Sequence, residues 1–143
     1  MDVWDLGAVQ REYRDSVGVF ISGDAEPQKR LWSRADDVTL ANPLGPAVRG
    51  WDAILRVMDA AAAVVHDGKI VSVDPISSVV TADLAYTIEN EHSTVLLGNA
   101  TVPTRVSLRV TTIFRREADG WMVVHRHADP ITEPRPPESV VQP

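Results

Sequence analysis

Apolar residues in the first half of the chain recur at helical spacing. Between positions 5 and 22 they lie three or four residues apart, as on one face of an α-helix. Gly23 follows this segment, where a glycine commonly ends a helix. The pattern also predicts a short second helix over residues 26–33, with Pro27 in its first turn. A third helix is predicted from residue 51 to about residue 65.

The second half has the pattern of β-strands. Four segments rich in Val, Ile and Thr alternate between apolar and polar positions, over residues 69–81, 82–98, 104–117 and 120–129. A shorter strand is predicted over residues 37–41, before the third helix, and the Pro- and Gly-containing segment after it predicts a turn. This order predicts an α+β domain, with three N-terminal helices packed on one face of a curved, largely antiparallel sheet.

Length and composition are those of a globular protein with a single domain. The chain has 143 residues, of which 44% are hydrophobic and 24% charged. Five of the ten prolines occur from Pro130 onward. We therefore assign residues 1–130 to one domain and residues 131–143 to a Pro-rich flexible tail.

Cysteine content and charge exclude several classes of function. The chain has no cysteine, which rules out disulfides, thiolate zinc sites, iron–sulfur clusters and cysteine nucleophiles. Its 14 basic and 20 acidic side chains give a net charge of −6, which argues against binding to nucleic acid. No apolar run is long enough to span a membrane, and the N-terminus lacks the features of a secretory signal. We expect a cytoplasmic protein with no membrane partner.

The last predicted hairpin concentrates polar side chains on one face. A three-residue loop over residues 118–120 would pair Glu117 with Trp121. A five-residue loop would keep the same residues together, whereas a four-residue loop would put the two strands' sets on opposite faces. With the three-residue loop, the residues that share one face are Arg109, Thr111, Ile113, His125, His127 and Asp129. The other face is largely apolar and carries Leu108, Val110, Thr112 and Phe114, opposite Met122, Val124 and Arg126.

This polar face supplies candidates for acid–base chemistry. His127 suits proton transfer near neutral pH, with Asp129 orienting it or pairing with Arg109. Glu91, two positions after Glu89 on the preceding strand, could meet Arg109 across the sheet. A buried pair of this kind would form the polar floor of an otherwise apolar cavity. The alternative is a solvent-facing polar side with no chemical role.

Metal and cofactor sites have little support in the sequence. His125 and His127 have a spacing that metal sites use, but a third ligand such as Glu91 or Asp129 would be needed, and we assign no metal site. There is no G-x-S-x-G motif and no phosphate-binding glycine loop, so we expect no cofactor. Trp32, on the predicted short helix, is our candidate for the aromatic wall of a pocket.

Two segments carry a resemblance to a known family. VTLANPLGPAVRG and LRVTTIFRREADGWMVVHRHADP, with the order of elements, resemble the NTF2-like superfamily and its SnoaL-like, or ketosteroid-isomerase-like, branch. The ending is also similar to the association domain of calmodulin-dependent kinase. The resemblance covers about residues 5–130. It implies a cone-shaped domain with a pocket between sheet and helices, dimers that commonly form through the sheets, and enzymes that act without cofactors. The pocket residues that it implies are Trp32, Asn42, Glu91, Arg109, Thr111 and His127, with His125 beside them.

Three functional hypotheses follow. The first is an isomerase, cyclase or dehydratase acting on a small apolar, carbonyl-like substrate. In it His127 moves the proton, Arg109 stabilises the oxyanion and Glu91 holds Arg109. The second is a non-catalytic domain that binds a small apolar or anionic ligand through Arg109 and His127, and forms a homodimer through the sheet. The third is a cone filled by its own side chains. The Asp–Tyr–Asp set of ketosteroid isomerases cannot be placed on this chain, so whether it is an enzyme stays open.

Overall fold

The computed structural model describes all 143 residues. The helices are α1 (Leu6–Phe20), α2 (Glu26–Lys29) and α3 (Trp51–Ala62). The strands are β1 (Thr39–Ala41), β2 (Val48–Arg49), β3 (Val65–Val80), β4 (Leu84–Leu97), β5 (Thr104–Glu117) and β6 (Gly120–Asp129). A 3-10 turn (Pro137–Val140) lies in the exposed C-terminal tail. None of the helices is long and apolar enough to cross a lipid bilayer.

All six strands form one curved sheet, in the order β2-β1-β6-β5-β4-β3. Neighbouring strands are antiparallel, except for the parallel pair β1 and β6. The predicted α+β class, with three helices against a largely antiparallel sheet, is confirmed. The three long strands β4, β5 and β6 lie where the alternating pattern placed them.

Helix α2 is shorter than predicted because the chain that follows it forms backbone hydrogen bonds with the sheet. The helix ends at Lys29 rather than at residue 33. The carbonyl of Leu31 accepts a hydrogen bond from the backbone N–H of Val123 at 2.9 Å. The N–H of Ser33 in turn donates to the Val123 carbonyl at 3.0 Å. These bonds to β6 satisfy backbone groups that a continued helix would otherwise use.

The boundary between α3 and β3 also differs from the prediction. Helix α3 ends at Ala62, and the next strand starts at Val65 rather than at residue 69. Val65 already pairs with Leu97 of β4, so sheet pairing wins over helical continuation here. The two-residue strand β2 was not predicted, because it is too short to show alternation.

Helix α1 covers the sheet with the predicted apolar stripe. Its N-cap, Asp5, accepts a hydrogen bond from the N–H of Gly7 at 3.0 Å through its side chain. Val9, Tyr13 and Val17 are buried on the side that packs against the sheet. The Tyr13 ring meets the ring of Phe114 edge-on, with centroids 5.9 Å apart.

The hairpin between β5 and β6 has a shorter turn than predicted. Two residues, Ala118 and Asp119, connect the strands, so Glu117 pairs with Gly120 rather than with Trp121. Gly120 has a φ angle of 111°, in the region that favours glycine. The predicted three-residue loop is therefore wrong at the turn itself.

A β-bulge restores the predicted register further from the turn. Ile113 pairs with His125 and Phe114 with Val123, so Val124 is an extra residue in β6. The bulge buries Val123 and Val124 together, whereas regular alternation would expose one of them. Beyond it the pairs Arg109–Asp129 and Thr111–His127 form as predicted.

The two faces of the sheet have different surroundings. The inner face, which packs against the helices, carries the hydrophobic core. Buried inner-face residues of β5 and β6 include Val110, Thr112, Phe114, Val124, Arg126 and Ala128. The outer face carries Arg109, Thr111, Ile113, His125, His127 and Asp129, which are exposed or half-buried.

Candidate functional site

A cavity of about 520 Å³ lies between the inner face of the sheet and helices α1 and α3. Fifteen of its 22 lining residues are hydrophobic. Side chains of β4, β5 and β6 form its wall, and the C-terminal half of α1 and the second half of α3 cover it. Leu44, Val64 and Leu97 line it and are also exposed to solvent, so they form its rim. The cavity has the size and apolar lining of a small-molecule pocket.

One ion pair forms the polar part of this cavity. The guanidinium of Arg126, on β6, holds both carboxylate oxygens of Glu91, on β4, at 3.1 and 2.9 Å. Nη1 of Arg126 also donates to the Tyr13 hydroxyl of α1 at 3.2 Å. The arginine and glutamate side chains are 11% and 8% exposed, so both charges are nearly withdrawn from water. They are the only ionisable groups that line the cavity.

The surroundings keep Arg126 charged and Tyr13 neutral. Burial alone would lower the pKa of Arg126, but the Glu91 carboxylate and the Tyr13 hydroxyl outweigh burial and raise that pKa. Burial raises the pKa of Tyr13 more than the positive charge of Arg126 lowers it. At neutral pH the site therefore holds a guanidinium, which donates hydrogen bonds, and an uncharged phenol.

Several donors on residues that line the cavity remain unused by the protein. Nε of Arg126 makes no hydrogen bond, and it is not sealed from solvent. The buried amide of Gln28 and the hydroxyl of Ser93 also line the cavity without a side-chain hydrogen bond. These groups match a ligand that carries an oxygen acceptor.

Comparison with known proteins gives the family. The sequence model of the SnoaL-like domain matches residues 9–132. The chain belongs to the SnoaL-like family. No curated protein matches its sequence.

Solved structures show the same fold. A dehydratase candidate of the NTF2-like family from Streptomyces avermitilis is 22% identical, with a TM-score of 0.73 over 90% of this chain and 94% of that one. A ketosteroid isomerase-like protein from Erwinia carotovora atroseptica is 19% identical, with a TM-score of 0.72 over 90% and 97%. A calcium/calmodulin-dependent protein kinase II association-domain candidate from Thiobacillus denitrificans is 23% identical, with a TM-score of 0.68 over 90% and 97%.

Glu91 lies in the cavity of this SnoaL-like domain, but its predicted partner was wrong. Arg109 pairs with Asn90 across the strands and so lies on the outer face. Glu91 lies on the inner face, where it meets Arg126. The sequence did hold a signal for this pair: Arg126 is a charged residue in the middle of the apolar face of the last hairpin, away from the turn. A buried charge there requires an opposite charge beside it.

The other polar candidates lie on the outer face and do not line the cavity. Asp129 holds both Arg109, at 2.7 Å, and His127, at 3.1 Å. Burial acts to raise the pKa of Asp129, but the backbone N–H of Ile131 and the guanidinium of Arg109 outweigh it and lower that pKa. Placing Arg109, Thr111 and His127 in the pocket was therefore wrong, because inner and outer residues alternate along each strand.

His125 also lies outside the cavity. Its Nδ1 lies 2.7 Å from the Thr39 hydroxyl of β1. Burial, followed by the charge of nearby His127, lowers the pKa of His125. The homodimer expected through this sheet stays a prediction.

Two further candidates had been assigned to the pocket. Asn42 does line the cavity, and its side-chain oxygen accepts a hydrogen bond from the Leu44 N–H at 2.9 Å, which shapes the rim. Trp32 does not line it, since its side chain is fully buried in the core beside β6. The prediction for Trp32 was wrong because the chain after α2 pairs with β6, which places the indole in the core.

Removing one partner of the buried ion pair should cost more stability than removing both. Arg126→Met leaves Glu91 charged and unpaired, so we expect a loss of about 3–5 kcal/mol in the free energy of unfolding. The double variant Arg126→Met/Glu91→Leu leaves no unpaired charge and should be more stable than Arg126→Met. Chemical denaturation measures both.

Arg109→Met is the matched control, because Arg109 pairs with a carboxylate at the surface and its side chain is 53% exposed. It should cost less than about 1 kcal/mol. Equal losses for Arg126→Met and Arg109→Met would contradict a buried, coupled pair.

Proposed function

We propose that this SnoaL-like domain binds a small, largely apolar and uncharged molecule with a carbonyl-type oxygen in the cavity. The observation that carries this proposal is the pairing of Arg126 with Glu91, which leaves the guanidinium Nε free. A ligand oxygen can accept from that N–H while its apolar part packs against the cavity wall. An open cavity of about 520 Å³ favours a binding domain over a cone filled by its own side chains.

The charge balance of the site favours an uncharged ligand over an anionic one. The positive charge of Arg126 is already matched by Glu91, and no other cation lines the cavity. An anion would therefore add an unmatched charge to an apolar site, which is costly. Arg109 and His127, the residues expected to hold an anionic ligand, lie on the outer face.

Two fluorescent probes that differ by one charge test this binding. N-phenyl-1-naphthylamine is uncharged, and 1-anilinonaphthalene-8-sulfonate carries a sulfonate. We expect the uncharged probe to bind about tenfold more tightly or better, the ratio that corresponds to about 1.4 kcal/mol. Fluorescence titration measures both affinities.

A variant that fills the cavity makes the test specific. Leu108→Trp places a larger side chain on the cavity wall and should weaken binding of the uncharged probe by about tenfold or more. Val71→Trp is the control, because Val71 lies on β3 with 65% of its surface exposed. An unchanged affinity in Leu108→Trp would place the probe elsewhere.

Proton transfer next to the bound carbonyl is a second candidate function. Glu91 is the only carboxylate in the cavity, and it lies beside the guanidinium that would stabilise an enolate oxygen. The structural relatives include a dehydratase candidate and a ketosteroid isomerase-like protein. In this reaction Glu91 removes an α-proton and returns it to the same or a neighbouring carbon.

Exchange of α-protons for deuterium tests this chemistry. 2-Tetralone, a bicyclic apolar ketone, should lose its α-proton NMR signals in D₂O faster with the protein than in buffer. Glu91→Gln keeps the side-chain shape but cannot take a proton, so exchange should fall to the buffer rate in protein that circular dichroism shows to be folded. Glu12→Gln, at an exposed position of α1, should exchange like the unaltered protein. Equal rates in Glu91→Gln and the unaltered protein would rule out Glu91 as the base.

A further inference from the structure

A second hollow lies at the other end of α1 and shares no lining residue with the cavity. It has a volume of about 450 Å³ and lies between the N-terminal half of α1 and strands β3 and β4. We name it the polar groove. The polar residues that line it are Gln10, Arg14, Ser77, Ser78, Thr87 and Glu89.

Glu89 is the most buried charge in the polar groove. The residue is 9% exposed, and Oε2 accepts one hydrogen bond, from Nη2 of Arg14 at 3.1 Å. Its second oxygen, Oε1, has no partner in the protein and is not sealed from solvent. Glu91, two residues further on, has both of its oxygens engaged by Arg126. A buried carboxylate normally has its acceptor sites filled, so Oε1 of Glu89 is an open acceptor.

The remaining polar side chains of the groove are equally unengaged. Gln10, Ser78 and Thr87 make no side-chain hydrogen bond within the protein, although all three line the same hollow. The polar residues of the outer face are different, since His127, Asp129 and Arg109 bind one another. The groove therefore brings together an amide, two hydroxyls and an ion pair with unused donors and acceptors.

The register of β3 against β4 places one serine side chain on the face of the groove. Ser78 pairs with Thr87, on the same inner face as Glu89. Ser77 pairs with Ile88, so its side chain points to the outer face. Pro75 and Ile76, where the register shifts, add an aliphatic surface beside Ser78.

We propose that the polar groove binds a small uncharged molecule with several hydroxyl groups, of the monosaccharide or cyclic polyol class. Arg14 and Glu89 cancel each other's charge, which favours an uncharged ligand. A hydroxyl both donates and accepts, so adjacent hydroxyls can bind Glu89 Oε1 and the Arg14 guanidinium together. The C–H surface of the ligand packs against Ile76. This site is independent of the function proposed for the cavity.

Saturation-transfer difference NMR tests the proposal with D-glucose, D-ribose and myo-inositol, each titrated to about 50 mM. We expect at least one to saturate with a dissociation constant on the order of 1 mM, as its few atoms allow. Glu89→Gln removes the charged acceptor and should weaken binding about tenfold or more. Ser78→Ala, on the exposed part of β3, should weaken it as well without affecting the fold.

Controls separate this groove from the cavity. Ser72→Ala, on β3 outside the groove, should bind the polyol unchanged, and so should the cavity variant Leu108→Trp. No saturation by any of the three polyols would overturn the proposal. Saturation that neither Glu89→Gln nor Ser78→Ala weakens would overturn it too. Binding of glycine but of no polyol would show a site for zwitterions and would also overturn it.

Discussion

The buried ion pair between Glu91 and Arg126 is the constraint on which the interior of this domain depends. Two charges that are 8% and 11% exposed are tolerated only because each binds the other in a two-pronged arrangement. The pair bridges β4 and β6 across β5, and through Tyr13 it reaches α1. It therefore connects the layers of the fold beside the cavity. It also makes an apolar cavity polar at one place without giving it a net charge.

Alternation along β4 produces two sites with different chemistry. Glu89 and Glu91 lie on the same inner face, two residues apart, and each meets an arginine from a different element. Glu91 lies among apolar residues, and Arg126 binds both of its carboxylate oxygens. These surroundings suit an apolar ligand with one oxygen. Glu89 lies among hydroxyls and an amide and keeps an open acceptor, which suits a ligand with many hydroxyls. Neighbouring residues, rather than the carboxylates themselves, set this difference.

Much of the fold could be predicted from local pattern, and the site only in part. Periodicity located α1 and the long strands, and pairing rules gave the contacts of Arg109 and His127 with Asp129. The error lay in choosing the polar face of the last hairpin as the pocket. Helices cover the apolar face, so a cavity forms there, and the informative residue is Arg126, the charge on that face that lies away from the turn. The bulge at Val124 and the position of Trp32 beside β6 both depend on long-range backbone pairing, which no local pattern shows.

The most direct test of this account is the NMR signal of the arginine Nε–H groups during addition of 2-tetralone, a carbonyl compound of suitable size. The Arg126 signal can be assigned by its loss in Arg126→Lys. We predict that this signal shifts as the ketone is added, because the free Nε–H donates to the ketone oxygen, and that the signal of Arg109 on the outer face does not move. A shift at Arg109 with none at Arg126 would contradict the account, since the ligand would then bind the outer face and leave the cavity empty.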